Sequence, residues 1–96
     1  MEIIIFARFH AIEGQEDAVA ATLREQVPGV RAEPGCLAIA AYGSVRNPLL
    51  FWTHSRWIDE AAFEIHAELP RTRRFVENVQ KLIDHPLEVM RTRAIA

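Results

Sequence analysis

The stretch Ile3-Ile4-Ile5-Phe6-Ala7-Arg8-Phe9 decides the fold. It is β-branched and aromatic, the composition of a strand, and the strand is assigned to Glu2 through Ile12. Strand side chains alternate between faces. One face carries Ile3, Ile5, Ala7 and Phe9; the other carries Ile4, Phe6, Arg8 and His10. Both are mostly apolar, so both must be covered. A layer of helices can shield only one of them.

Beyond this strand, Glu13-Gly14 reads as a turn, and acidic Glu16 and Asp17 suit the first turn of a helix. Val19, Leu23, Val27 and Val30 then form an apolar stripe at helical spacing. Pro28-Gly29 predicts a kink or interruption of this helix, and Pro34-Gly35 its end. A second strand spans Cys36 to Val45. Arg46-Asn47-Pro48 is a turn, and Leu49 to Trp57 is a third strand, joined to the second closely enough to imply an antiparallel hairpin. Asp59 can cap the next helix, on which Ala62, Ile65, His66 and Leu69 share a face. Pro70 breaks that helix or starts another, which runs through Phe75, Val76, Val79, Leu82 and Ile83. His85-Pro86 stops it, and Leu87 to Ile95 forms the last strand.

The order strand, helix, strand, strand, helix pair, strand is an α+β, ferredoxin-like arrangement: a four-stranded antiparallel sheet with helices on one face. No linker, repeat or low-complexity segment divides the chain, so residues 1–96 are expected to form one domain. The uncovered sheet face would expose Ile4, Phe6 and parts of the second and third strands, on the order of several hundred Å², enough to signal an interface. Two such sheets packed face to face would bury it, and a homodimer is expected.

Bulk properties narrow the function classes. The 96 residues are half apolar and a quarter charged, with a formal net charge of −2. The isoelectric point near 6.1 leaves no basic footprint for nucleic acid or for acidic membranes. One cysteine, Cys36, cannot form an internal disulfide. Without a basic n-region or a membrane-length apolar run, a cytoplasmic location is expected.

Several segments, in order, resemble the antibiotic biosynthesis monooxygenase family, whose members form dimeric α+β barrels. They are the opening strand closed by Glu13-Gly14, then Ala32-Glu33-Pro34-Gly35-Cys36-Leu37. Asn47-Pro48 follows, before a strand ending at Trp57, and then Asp59-Glu60-Ala61-Ala62-Phe63 leading to His66. The resemblance spans essentially the whole chain and implies a fold more sharply than an activity. Relatives include cofactor-independent oxygenases of phenols and quinols, haem-degrading enzymes and a sugar-phosphate isomerase of quorum signalling. The chain departs from the family pattern at Ser55, where a glutamate is frequent, and at Arg71, near the place of a second histidine. Val76 falls near the haem-ligating histidine, Ala7 near an asparagine, and His66 near a tryptophan of the haem-degrading relatives. Haem cleavage is therefore disfavoured, and the isomerase weakened.

His66 is the leading candidate for chemistry. On the apolar stripe of its helix, a neutral imidazole can exchange a proton near pH 7, as a phenol or quinol substrate would need. The alternative is a half-buried histidine bonded to backbone. Trp57 could wall a ligand cavity or simply plug strand against helix. Ile5, Ala7, Phe9 and Phe75 are the expected apolar lining, as is Phe63 unless it is ordinary core. Arg74, with Arg71 and Arg73, is either an anion site or a solvated face. Tyr42 could bond a phenolic ligand or face a partner subunit. By parity His54 lies opposite Trp57 and, with Trp52 and Arg56, faces the dimer partner. His10 and His85 read as solvated.

No two of the four histidines stand at metal-ligand spacing, and no phosphate loop, Ser-His-Asp set or cofactor motif is visible. The expected function is a cofactor-independent monooxygenase, or related oxidoreductase, of a small aromatic or quinol-like molecule. The alternatives are a dimer that binds a small hydrophobic ligand without turnover, and a sugar-phosphate isomerase that uses the arginines as a clamp.

Overall fold

The computed structural model describes all 96 residues. In chain order the elements are β1 (Ile3–His10), α1 (Glu16–Arg31), β2 (Cys36–Gly43), β3 (Leu50–Trp57), α2 (Glu60–Glu68), α3 (Pro70–Gln80) and β4 (Glu88–Thr92). The four strands form one antiparallel sheet in the order β2-β3-β1-β4. The strands are shorter than the apolar runs suggest, most of all β4, which ends at Thr92 rather than Ile95. No helix is long and apolar enough to cross a membrane.

The alternation in β1 resolves as its composition requires. Ile3, Ile5, Ala7 and Phe9 are buried beneath the helices, while Phe6 on the opposite face is exposed. Pairing of Ile5 with Ser55 and of Phe6 with His54 carries the same division into β3. A bulge between Cys36 and Ala38 inserts Leu37 into β2 and resets its parity. Tyr42 consequently pairs with Trp52 on the face away from the helices.

Helix α1 runs unbroken through Pro28, against the expected interruption. Pro28 cannot donate to the carbonyl of Arg24, but both residues lie on the solvent side, where water can take the freed carbonyl. Asp59 caps α2, its carboxylate accepting from the backbone N–H of Ala62 at 2.8 Å. Pro70 occupies the first turn of α3, where its missing N–H costs nothing. The α2 stripe is rotated from the expected one. Phe63 is buried and Ile65 is exposed, because the face meeting the sheet is centred on Phe63 and His66.

Between sheet and helices the core is split. One cluster gathers Ala7, Phe9, Ala11, Val19, Leu23, Val79 and Ile83; the other gathers Ile3, Ile5, Val30, Trp57 and Phe63. The space between them is not filled by side chains.

Candidate active site

A cavity of about 380 Å³ occupies that gap, and both clusters contribute to its wall. Ile5, Ala7, Phe9 and Phe75 line it, as does Phe63. The volume suits a small organic molecule, and a mostly apolar wall with a few polar groups is the usual make-up of such sites. The polar groups come from every layer: Thr53 and Ser55 from β3, Gln26 from α1, His66 from α2, Thr72 from α3 and Arg91 from β4.

His66 is held from two sides. Its Nδ1–H donates to Glu33 Oε1 at 2.8 Å, and Thr72 Oγ1 lies 3.4 Å from the same nitrogen. An ionised carboxylate can only accept, so the proton sits on Nδ1 and the lone pair on Nε2. No protein group bonds that Nε2. The ring packs at 4.8 Å from Trp57 and 5.5 Å from Phe63, which fixes its plane. Glu33 is itself nearly enclosed, with 8% of its side chain exposed, and its second oxygen accepts from Arg71. Gly29 makes this possible, since a side chain there would collide with the Arg71 guanidinium.

Trp57 is almost wholly buried and stands behind His66, not on the cavity wall. Its indole N–H donates to Ser55 Oγ at 3.0 Å, so Ser55 both satisfies the tryptophan and faces the cavity. Arg74 departs from its expected place. It lines a separate groove with Arg71, Thr22 and Glu25, outside the apolar cavity. Val76 and Ala7 line the cavity but offer no iron ligand.

Arg91 closes the β4 side. It lies 5.1 Å above the Phe63 ring and bonds Glu60 and Glu64 at 2.8 and 2.9 Å. Donating to Glu64 first, and then to Glu60, raises its pKa further, so it stays charged. Tyr42 and His54 lie on the far face of the sheet with Phe6 and Trp52. Glu33 stands in the sequence only as part of the Ala32–Leu37 segment, with no role of its own. It is 33 residues from His66, and no local pattern links a loop carboxylate to a helix imidazole at that distance.

The family model for antibiotic biosynthesis monooxygenase matches residues 2–78. The chain belongs to that family. Known antibiotic biosynthesis monooxygenase structures share its architecture; one is 26% identical, with a TM-score of 0.90 over 98% of this chain and 99% of its own. PA3566 of Pseudomonas aeruginosa is also 26% identical, at a TM-score of 0.89 over 99% and 95% of the two chains. Rv0793 of Mycobacterium tuberculosis, at 22% identity, shows the same fold with a TM-score of 0.92 over 100% and 97%. No curated protein matches the sequence.

Proposed function

We propose that this member of the monooxygenase family oxidises a small aromatic or quinol-like substrate without a cofactor, with His66 as the base. The observation that carries the reading is the His66–Glu33 contact at the wall of an apolar cavity. A carboxylate on Nδ1 orients the ring and stabilises the imidazolium that forms when Nε2 takes a proton. The cavity supplies dryness: a substrate anion exchanges electrons with dioxygen more readily where water is excluded. For an anthrone-like substrate, a ring CH₂ loses one proton to Nε2 and the resulting carbanion reduces dioxygen. One oxygen atom becomes the new carbonyl; the other leaves as water with both hydrogens. Substrate, not protein, is the reductant.

The working form is a homodimer, in keeping with the family and with the apolar sheet face described above. The phosphate-clamp alternative is weakened by the position of Arg74 outside the cavity.

Oxygen uptake on dihydroxynaphthalenes and anthrones, with protein stripped of metal, tests the reading. Turnover should fall by about 10²–10⁴-fold in His66→Ala, the usual share of a positioned base. Undiminished turnover in that variant would remove the mechanism. A compound that raises the melting temperature yet is recovered unchanged would favour a binding role instead.

A further inference from the structure

The structure gathers what the sequence spacing keeps apart. His10, at the end of β1, and His85, in the loop after α3, sit on either side of Asp84. Asp84 Oδ2 is 2.9 Å from His10 Nδ1, and Asp84 Oδ1 is 2.5 Å from His85 Nδ1. The two rings stack at 5.6 Å, and one donor atom from each of the three residues falls within 4.8 Å of the others. Neither histidine is free in solvent, contrary to the expectation for both; each side chain is about a quarter to a third exposed.

We propose that His10, Asp84 and His85 form a binding site for a divalent first-row transition cation such as Zn²⁺. Two imidazoles and one carboxylate are a donor set suited to Zn²⁺, Ni²⁺, Cu²⁺ or Fe²⁺, and three protein ligands leave a position for water. Preorganisation supports it. The Asp84 N–H donates to the His10 carbonyl at 3.0 Å, and the Ile12 N–H to the Leu82 carbonyl at 2.8 Å, with a β-bridge between Ala11 and Ile83. Both donor segments are thus tied together by backbone, not by the histidines alone. Metal arms of about 2.0–2.1 Å put tetrahedral ligands roughly 3.4 Å apart, within reach of side-chain rotation from the present arrangement. On binding, each neutral imidazole gives its Nδ1 lone pair to the metal and carries its one proton on Nε2.

Arg8 opposes this, and so provides a control. Its Nη1 donates to His85 Nε2 at 2.8 Å, holding the His85 proton on Nδ1. The cation would displace Arg8 towards Glu88, whose carboxylate already lies 3.8 Å away. Removing Arg8 should therefore favour the metal.

Isothermal titration of the untagged full chain with ZnCl₂ tests the site, with Co²⁺ absorption as a second readout. One cation per chain is expected. His10→Gln and His85→Gln should each weaken binding by roughly 10–100-fold, Arg8→Met should tighten it, and His66→Ala should leave it unchanged. Circular dichroism of each variant separates lost ligation from lost folding, and either histidine variant suffices. Absence of saturable binding below about 100 μM, or an affinity unchanged from the parent in both histidine variants, would overturn the proposal and leave the cluster as a hydrogen-bonded clasp.

Discussion

Glu33 illustrates how one side chain can matter to stability and chemistry at once. Its carboxylate accepts from His66 and from Arg71 in a setting with little access to water. Replacing it with glutamine should leave one of those donors without its acceptor, at a cost of about 1–3 kcal/mol. Urea unfolding reads that cost. The same variant should also reduce turnover on any substrate that His66→Ala abolishes, because the imidazole loses its fixed tautomer. A variant with unchanged stability and rate would show that the pair is incidental. Cys36 offers a second test. Desolvation is the main influence on its thiol and raises its pKa above the ordinary 9.0, outweighing the backbone hydrogen bond with Ala38 that works the other way. Alkylation by iodoacetamide should then reach half its maximal rate above pH 9, and the fold should lose stability as pH rises through that range, since the unfolded chain ionises first. Half-maximal reaction below pH 9 would contradict the burial.

The connection between α1 and β2 depends on Gly35 for two separate reasons. Its φ is +83°, a region that disfavours side chains, and a Cβ there would stand 2.6 Å from the Ala62 methyl on α2. Gly14 has a similar φ of +93° but open space around it. The pair separates conformation from packing. Gly14→Ala should cost about 1–2 kcal/mol and Gly35→Ala roughly 2–5 kcal/mol, because only the second pushes α2, and with it His66, off the sheet. Equal losses in chemical denaturation would mean that α2 yields freely. The α2 result also shows where sequence reasoning stops. Strand parity in β1 and β3 assigned the helix-covered and open faces, because alternation is a local rule that any apolar neighbour satisfies. The bulge at Leu37 and the outward turn of Ile65 follow from how elements dock, which no period of 2 or 3.6 encodes. The contacts of Glu33 with His66 and of His10 with Asp84 join residues 33 and 74 apart, so only the folded chain reveals them.

The face of the sheet away from the helices leaves several apolar side chains uncovered. Phe6, Met90 and Tyr42 are 38%, 42% and 53% exposed, and a shallow groove among Phe6, Tyr42, Trp52 and His54 adds to them. Phe6 and His54 already pack together at 5.3 Å, so the patch is continuous across β1 and β3. A twofold pairing would set this face against its own copy, and a standard interface of about 800 Å² per partner is within reach of a four-stranded sheet. The Glu2–Arg56 pair at 2.6 Å belongs to this arrangement, since Arg56 shares the open face with Ile4. Phe6→Glu places a carboxylate in the middle of the patch, where a partner sheet would strip its water. That should cost several kcal/mol of association and leave a folded monomer. Sedimentation equilibrium at micromolar concentration should find the parent chain at twice the monomer mass and Phe6→Glu at the monomer mass. His66→Ala should sediment with the parent, because its cavity lies on the opposite side of the sheet. A parent chain that sediments as a monomer, or a Phe6→Glu variant that still pairs, would mean that this apolar face serves some other purpose and that the cavity needs no partner to form.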